Sequence, residues 1–125
     1  CAAVLCPTFR QAEEIAASLA PELNAKAMRS KDTDLAHRGV KVLTMHAAKG
    51  LQFPVVAVVG LQLNQLPTRT PSGMDEVEHR TRQKRLLFVA CSRAMRSLAV
   101  FAPSENPSPY VTGLTDEFWE IVDVG

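Results

Sequence analysis

The sequence predicts an α/β sandwich built on a mainly parallel sheet, and three observations predict it. Short apolar runs alternate along the chain with stretches of helical periodicity. The run Val55–Val59, VVAVV, is apolar at every position, the mark of a strand covered by helices on both faces. Hydrophobic residues make up 46% of the 125, enough to build a core for one domain.

Each element follows from local signals. Ala2–Leu5 reads as a short buried strand stopped by Pro7. Thr8 is an N-cap for a helix running to about Ala20, with Ala12, Ile15, Ala16 and Leu19 on one stripe, and Pro21 ends it. Ala25–Met28 is a short strand and Ser30–Gly39 a polar loop. Val40–Thr44 and Pro54–Gly60 are two more strands. Leu63–Asp75, with Pro67, Pro71 and Gly73, is a loop. Glu76–Ala94 is a long helix, Ser97–Ala102 a final strand, and Thr115–Ile121 a short helical segment beyond Pro103, Pro107 and Pro109.

Charge and cysteine usage narrow the function. The net charge of +1 argues against a domain that grips nucleic acid by charge alone, and leaves room for a local basic face. The three cysteines, Cys1, Cys6 and Cys91, form no CxxC pair, so neither a disulfide framework nor a zinc site is indicated. Buried reduced thiols in a cytoplasmic protein are the expectation. No apolar run approaches the ~20 residues of a membrane span, and none reads as a signal peptide. Together with what the chain lacks below, its start in an apolar segment suggests a piece of a larger protein.

The stretch Val40–Leu61, VKVLTMHAAKGLQFPVVAVVGL, concentrates candidate chemistry. His46, Lys49 and Gly50 crowd a loop between two apolar strands. In open α/β sheets ligands bind beyond the carboxyl ends of strands, where a loop after Thr44 belongs. Gly50 permits a positive φ or a close approach by another chain. In the long helix, Leu86, Val89 and Ala90 form a stripe that Arg93 continues at i+7. Read alone, Arg93 is a core-edge residue capping the last helix carbonyls or pairing with a carboxylate. Read alone, His46 is a structural hydrogen-bonder, Lys49–Gly50 an ordinary turn and Gln52 a polar residue between Leu51 and Phe53. Arg80, Arg82, Lys84 and Arg85 read as a solvated face that Glu76 and Glu78 can pair with; contact with DNA or a partner domain is the alternative.

Two patterns together say more. Thr44-x-His46-x-x-Lys49-Gly50-Leu51-Gln52-Phe53 resembles motif V of the UvrD/Rep-like superfamily 1 DNA helicases. Arg85-Leu-Leu-Phe-Val-Ala-Cys-Ser-Arg-Ala94 resembles that family's motif VI, Arg-Leu-Leu-Tyr-Val-Ala-x-Thr-Arg-Ala. The segment CPTFRQAEEIAASL resembles motif IV. The resemblance spans nearly the whole chain: motif IV near residues 5–16, motif V at 40–61 and motif VI at 83–95, with 103–125 as a tail packed on the domain. It implies a RecA-like three-layer sandwich, the second RecA-like domain of an ATP-dependent 3′-to-5′ DNA helicase or translocase of the kind used in DNA repair or replication.

The resemblance also implies roles. Arg93 reaches the γ-phosphate of ATP, and Arg10 supplies a second arginine from the start of the first helix; the alternative for Arg10 is a solvated first-turn arginine. Lys49 and Gly50 lie near the phosphates, and Gln52 contacts the ribose. Thr44 and His46 contact the sugar-phosphate backbone of single-stranded DNA. The chain departs from the family pattern twice: Gln52 stands where glutamate is usual, and Glu13 where motif IV carries its arginine.

Absences complete the expectation. The chain contains no GxxxxGK[ST] phosphate loop and no apolar strand ending in Asp-Glu; Asp116-Glu117 lies in a polar tail. Nothing here can cradle a triphosphate alone, and the resemblance implies that ATP and Mg²⁺ are held mainly by an N-terminal RecA-like domain of the same protein. The motor is then incomplete here, and the isolated chain inactive. Only Pro21–Gly39 separates the first helix from motif V, where many relatives insert a helical subdomain. The competing expectation is a RecA-like domain that has lost its motor and serves as an interaction or regulatory module.

Overall fold

The computed structural model of the chain describes residues 2–29, 31, 34, 36–66, 68–114, 117 and 119–122. Its elements in order are β1 (Ala2–Cys6), α1 (Phe9–Ser18), a 3₁₀ turn (Pro21–Leu23), β2 (Lys26–Met28), β3 (Lys41–Thr44), β4 (Phe53–Val58), α2 (Glu76–Cys91), β5 (Ala94–Val100) and α3 (Pro109–Thr112). The five strands form one sheet in the order β2-β3-β1-β4-β5, and every pairing is parallel. The expected α/β sandwich is present, with a sheet that is parallel throughout.

Side-chain alternation along the strands divides the core into two layers. Ala3, Leu5, Leu43, Val56 and Val58 face one way and pack with Leu87 and Ala90 of α2. Cys6, Val42 and the half-buried Val4 face the other way and pack with Ala12, Ile15, Ala16 and Leu19 of α1. Lys41 belongs to the first face by parity and is 2% exposed; its Nζ donates to the His37 carbonyl at 2.8 Å, tying the loop before β3 to the strand.

The helix ends carry local explanations. Thr8 and Gln11 form a capping box: the Gln11 N–H donates to Thr8 Oγ1 at 3.3 Å, and the Thr8 N–H donates to Gln11 Oε1 at 3.2 Å. α1 stops at Ser18, two residues before the expected end, because Leu19 and Ala20 turn to extended backbone ahead of Pro21. Asp75 caps α2, its carboxylate accepting the Glu78 N–H at 3.1 Å. Glu76 and Glu78 lie in the first turn of α2 and pair at i+4 with Arg80 and Arg82, which makes half of the basic run a solvated face.

β4 runs Phe53–Val58 rather than Pro54–Gly60, and larger shifts follow it. α2 closes at Cys91 rather than Ala94, and β5 begins at Ala94 rather than Ser97. The cause is tertiary: the Phe53 N–H donates to the Arg93 carbonyl at 2.8 Å and Phe53 pairs with Ala94, so the sheet captures the chain before the helix can continue. The tail's helical turn is Pro109–Thr112, capped by Ser108. The expected segment Thr115–Ile121 falls partly outside the described residues; within it, 117 and 119–121 are non-helical. Cys1 and Asp116 also lie outside the described residues.

Residues 108–111 are anchored on the domain. Ser108 Oγ donates to the Leu66 carbonyl, Tyr110 donates its phenol to the Arg80 carbonyl, and Tyr110 and Val111 pack on the first core layer. Among the described residues no helix is long and apolar enough to cross a membrane.

Candidate functional site

Because all strands run the same way, the sheet has one carboxyl-terminal edge and one amino-terminal edge. β4 is roughly 20 Å long at about 3.3 Å per residue over its six residues, which sets the distance between the edges. The segment Met45–Gln52 leaves β3 at the carboxyl-terminal edge and enters β4 at the other. It returns as a compact turn across the first face, with Met45 and Ala48 fully buried. One segment thus serves both edges.

Thr44 and His46 stand at the carboxyl-terminal edge. The Met45 N–H extends the ladder to the Cys6 carbonyl at 2.9 Å, which fixes the start of the turn. Thr44 Oγ1 accepts the Ala47 N–H at 3.1 Å, which uses one lone pair and leaves its hydroxyl proton for donation. His46 is exposed. Both groups can donate to phosphate oxygens without reading a base.

Lys49, Gly50 and Gln52 lie on the return path, not beyond the carboxyl ends where their place after β3 suggested. Lys49 and Gln52 are exposed. Gly50 has φ +83°, and a Cβ there would meet nothing within 4 Å; the backbone conformation, not a close approach within the domain, calls for glycine. Gln52 directly precedes Phe53, whose N–H is bonded to the Arg93 carbonyl at 2.8 Å. Gln52 and Arg93 therefore adjoin at the amino-terminal edge.

Arg93 lies in the turn between α2 and β5, past the helix stripe on which it was expected. Its Nε donates to the Val89 carbonyl at 3.1 Å and its Nη2 to Ser92 Oγ at 3.0 Å. The capping half of its plain reading is present; among the described residues no carboxylate lies within ion-pair distance of it. Two anchored donors orient the half-buried guanidinium and leave Nη1 without a partner among the described residues. Leu87 and Ala90 form the buried line of α2, with Leu86 and Val89 half-buried and Phe88 exposed at 58%.

Arg10 is set apart. It occupies the first turn of α1, after the carboxyl end of β1, with its side chain 90% exposed and Nε 3.5 Å from Glu14 Oε1. Arg10 and Arg93 lie at opposite edges of the sheet, so the fold does not bring the two expected phosphate arginines together. Arg10 instead lines a cleft of about 600 Å³ with Thr8, Gln11, Gly60, Gln62 and Gln65, at the point where chain connections diverge to either side of β1. Gly60 went unnoticed in the sequence. Its φ is +77°, and a Cβ there would stand 2.8 Å from both Gln11 Nε2 and Pro7 Cδ, so only glycine closes this cleft's floor.

Buried polar groups outside these edges are structural. His79, unassigned by sequence, is buried; its Nε2 lies 2.9 Å from Thr68 Oγ1 and 3.1 Å from the Thr68 carbonyl, clamping the loop before α2 onto the helix. Burial pushes the Cys6 thiol up to about 11, against a smaller opposing effect of a backbone hydrogen bond at Thr8, and pushes the Cys91 thiol up as well. Both are poor nucleophiles at neutral pH.

The described residues do not make a Mg²⁺ site. Among the described residues no group of three or more His, Cys, Asp or Glu side chains converges.

A parallel five-stranded α/β domain with polar groups at two opposite edges defines the class of protein. The family model for the UvrD-like helicase C-terminal domain matches residues 5–105, and the chain belongs to that family. The chain is 33% identical over 89 residues to a probable DNA helicase II homolog of Mycoplasma genitalium, a match covering 71% of this chain and 12% of that protein. It is 36% identical over 61 residues to DNA helicase II of Escherichia coli, covering 49% of this chain and 8% of that protein. The chain thus spans about a tenth of the length of these relatives. A solved structure, the C-terminal domain of a possible DNA helicase from Lactobacillus plantarum, superposes with a TM-score of 0.67 at 23% identity, over 93% of this chain and 63% of that one. That likeness supports the fold.

Proposed function

We propose that this chain is the second RecA-like domain of an ATP-dependent motor that translocates 3′ to 5′ along single-stranded DNA. Arg93 reaches the γ-phosphate of an ATP held, with its Mg²⁺, mainly by a first RecA-like domain of the same protein. A planar guanidinium there stabilises charge spread over the phosphoryl oxygens, an effect worth roughly 10³–10⁵ in rate. Lys49 and Gly50 border the phosphates, and Gln52 accepts a hydrogen bond from the ribose. Thr44 and His46 donate to the DNA backbone. Arg10, an edge away from Arg93, is not assigned to the phosphate in this reading.

One observation carries the proposal. The segment Thr44–Phe53 begins at the carboxyl-terminal edge of the sheet and ends hydrogen-bonded to the Arg93 carbonyl at 2.8 Å. A shift of Arg93 as the cleft between domains closes is therefore coupled, through one short and partly buried segment, to His46. This is how hydrolysis at one edge moves DNA at the other.

A second reading, a non-catalytic interaction module, is favoured by Gln52, which keeps an acceptor oxygen but lacks the charge of the usual glutamate. The two readings separate on His46→Ala in the full-length protein. The motor reading expects weaker binding of a single-stranded oligonucleotide and nearly unchanged ATP binding. Unchanged oligonucleotide affinity contradicts the backbone contact and favours the module.

A further inference from the structure

We infer that, in the full-length protein, an apolar helix of the segment leading into β1 covers the sheet face over β4 and β5. By alternation from their pairings, Val55 and Ala57 of β4 and Ser97 and Ala99 of β5 share the face that carries α1. α1 packs mainly on β1, β2 and β3. Val55 is 44% exposed although β4 has a strand on either side, and Ser97 and Ala99 are exposed beside it. The tail meets β5 only at Leu98–Phe101, among the described residues. None of the four is charged, and the small ones let a helix approach closely. A parallel sheet is ordinarily covered on both faces, and the run VVAVV has the composition of such a strand.

The occupant follows from the handedness of crossovers. Connections between parallel strands of one sheet are right-handed in about 98% of cases, so the direction of a crossover fixes its face. This chain obeys the rule three times. In the sheet order, the passage from β1 to β2 runs one way and carries α1 on one face. The passages from β3 to β4 and from β4 to β5 run the other way and carry the Met45–Gln52 turn and α2 on the opposite face. A connection into β1 from a strand beside β5 runs in the direction of β1 to β2. Its helix therefore lies on the face of α1, over β4 and β5. A connection from beside β2 would need the other face, where the turn and α2 already pack. The chain spans about a tenth of its relatives' length, which leaves polypeptide for such a segment.

The test is made in the full-length protein, with Val55 replaced by a diazirine-bearing leucine analogue and photoproducts mapped by mass spectrometry. The expected cross-link joins position 55 to an apolar stretch within roughly 40 residues before Cys1, the length of a strand-and-helix crossover. A water adduct alone shows an open face and overturns the inference. So does a cross-link to residues beyond Gly125 or to another domain, or one between isotopically distinct copies, which marks a dimer. A second variant guards against a disturbed sheet. Maleimide should label Ser97→Cys at least roughly tenfold more slowly than Ser104→Cys in the exposed tail, because cover must open first. Equal rates overturn the cover. Neither readout involves ATP or DNA, so the motor reading can fail without touching this one.

Discussion

Arg93 is shared between the helix it follows and the site it borders. Its Nε and Nη2 cap the end of α2 through Val89 and Ser92, and its carbonyl receives the first ladder bond of β4. These contacts orient the guanidinium within the domain itself, the preorganisation that the proposed role of Arg93 at a phosphate would use. Cys6 shows the opposite case, a reactive group made inert by burial. Its thiol rises from 9.0 to about 11 because burial disfavours the thiolate. The neutral thiol therefore stabilises the fold in full below about pH 9, and the contribution is lost as pH rises through about 11, since the unfolded chain ionises first. Thermal unfolding of the wild-type chain should fall in midpoint across that window more than that of Cys6→Ala, as Cys91 shifts in the same direction in both. Parallel decline in the two proteins contradicts this assignment.

At the scale of elements, two contacts set boundaries that can be tested by denaturant unfolding. Thr8 closes the capping box of α1, and Thr8→Ala should cost about 1 kcal/mol. His79 clamps the Thr68 loop to α2, and His79→Leu should cost about 1–3 kcal/mol by leaving the Thr68 groups unpaired. A loss below about 0.3 kcal/mol in either variant, against a typical surface scatter of ~0.5 kcal/mol, removes the contact from the account. The same elements show what sequence reveals. α1 was legible because its cap, its stripe and Pro21 are all local. The end of α2 was not, because the residues around Arg93 keep a helical rhythm and only the pairing of Phe53 with Ala94 stops them. His79 was unreadable for a related reason: its partner is a loop residue eleven positions away, brought close by the fold.

Over the whole molecule, the sheet order β2-β3-β1-β4-β5 decides which residues can act together. The resemblance to helicase motifs marked Thr44, His46, Lys49, Gly50, Gln52 and Arg93 as candidates. It also gave the loop a His46 side toward DNA and a Lys49–Gln52 side toward a nucleotide, but not that these are opposite edges of the sheet, nor that Arg10 belongs with the carboxyl-terminal one, because a motif is linear and register is not. The division implies half of a site at the Arg93 edge, so the purified 125-residue chain should fold and hydrolyse no ATP; turnover above background would show a complete site within it. The central claim is that Arg93 acts on ATP held by another domain. The measurement that tests it most directly is ATP turnover beside ATP binding in the full-length protein carrying Arg93→Ala. The account predicts turnover reduced by roughly 10³-fold or more with ATP affinity within a few-fold of wild type. Wild-type turnover in that variant would contradict it and leave Arg93 as the cap of α2 alone.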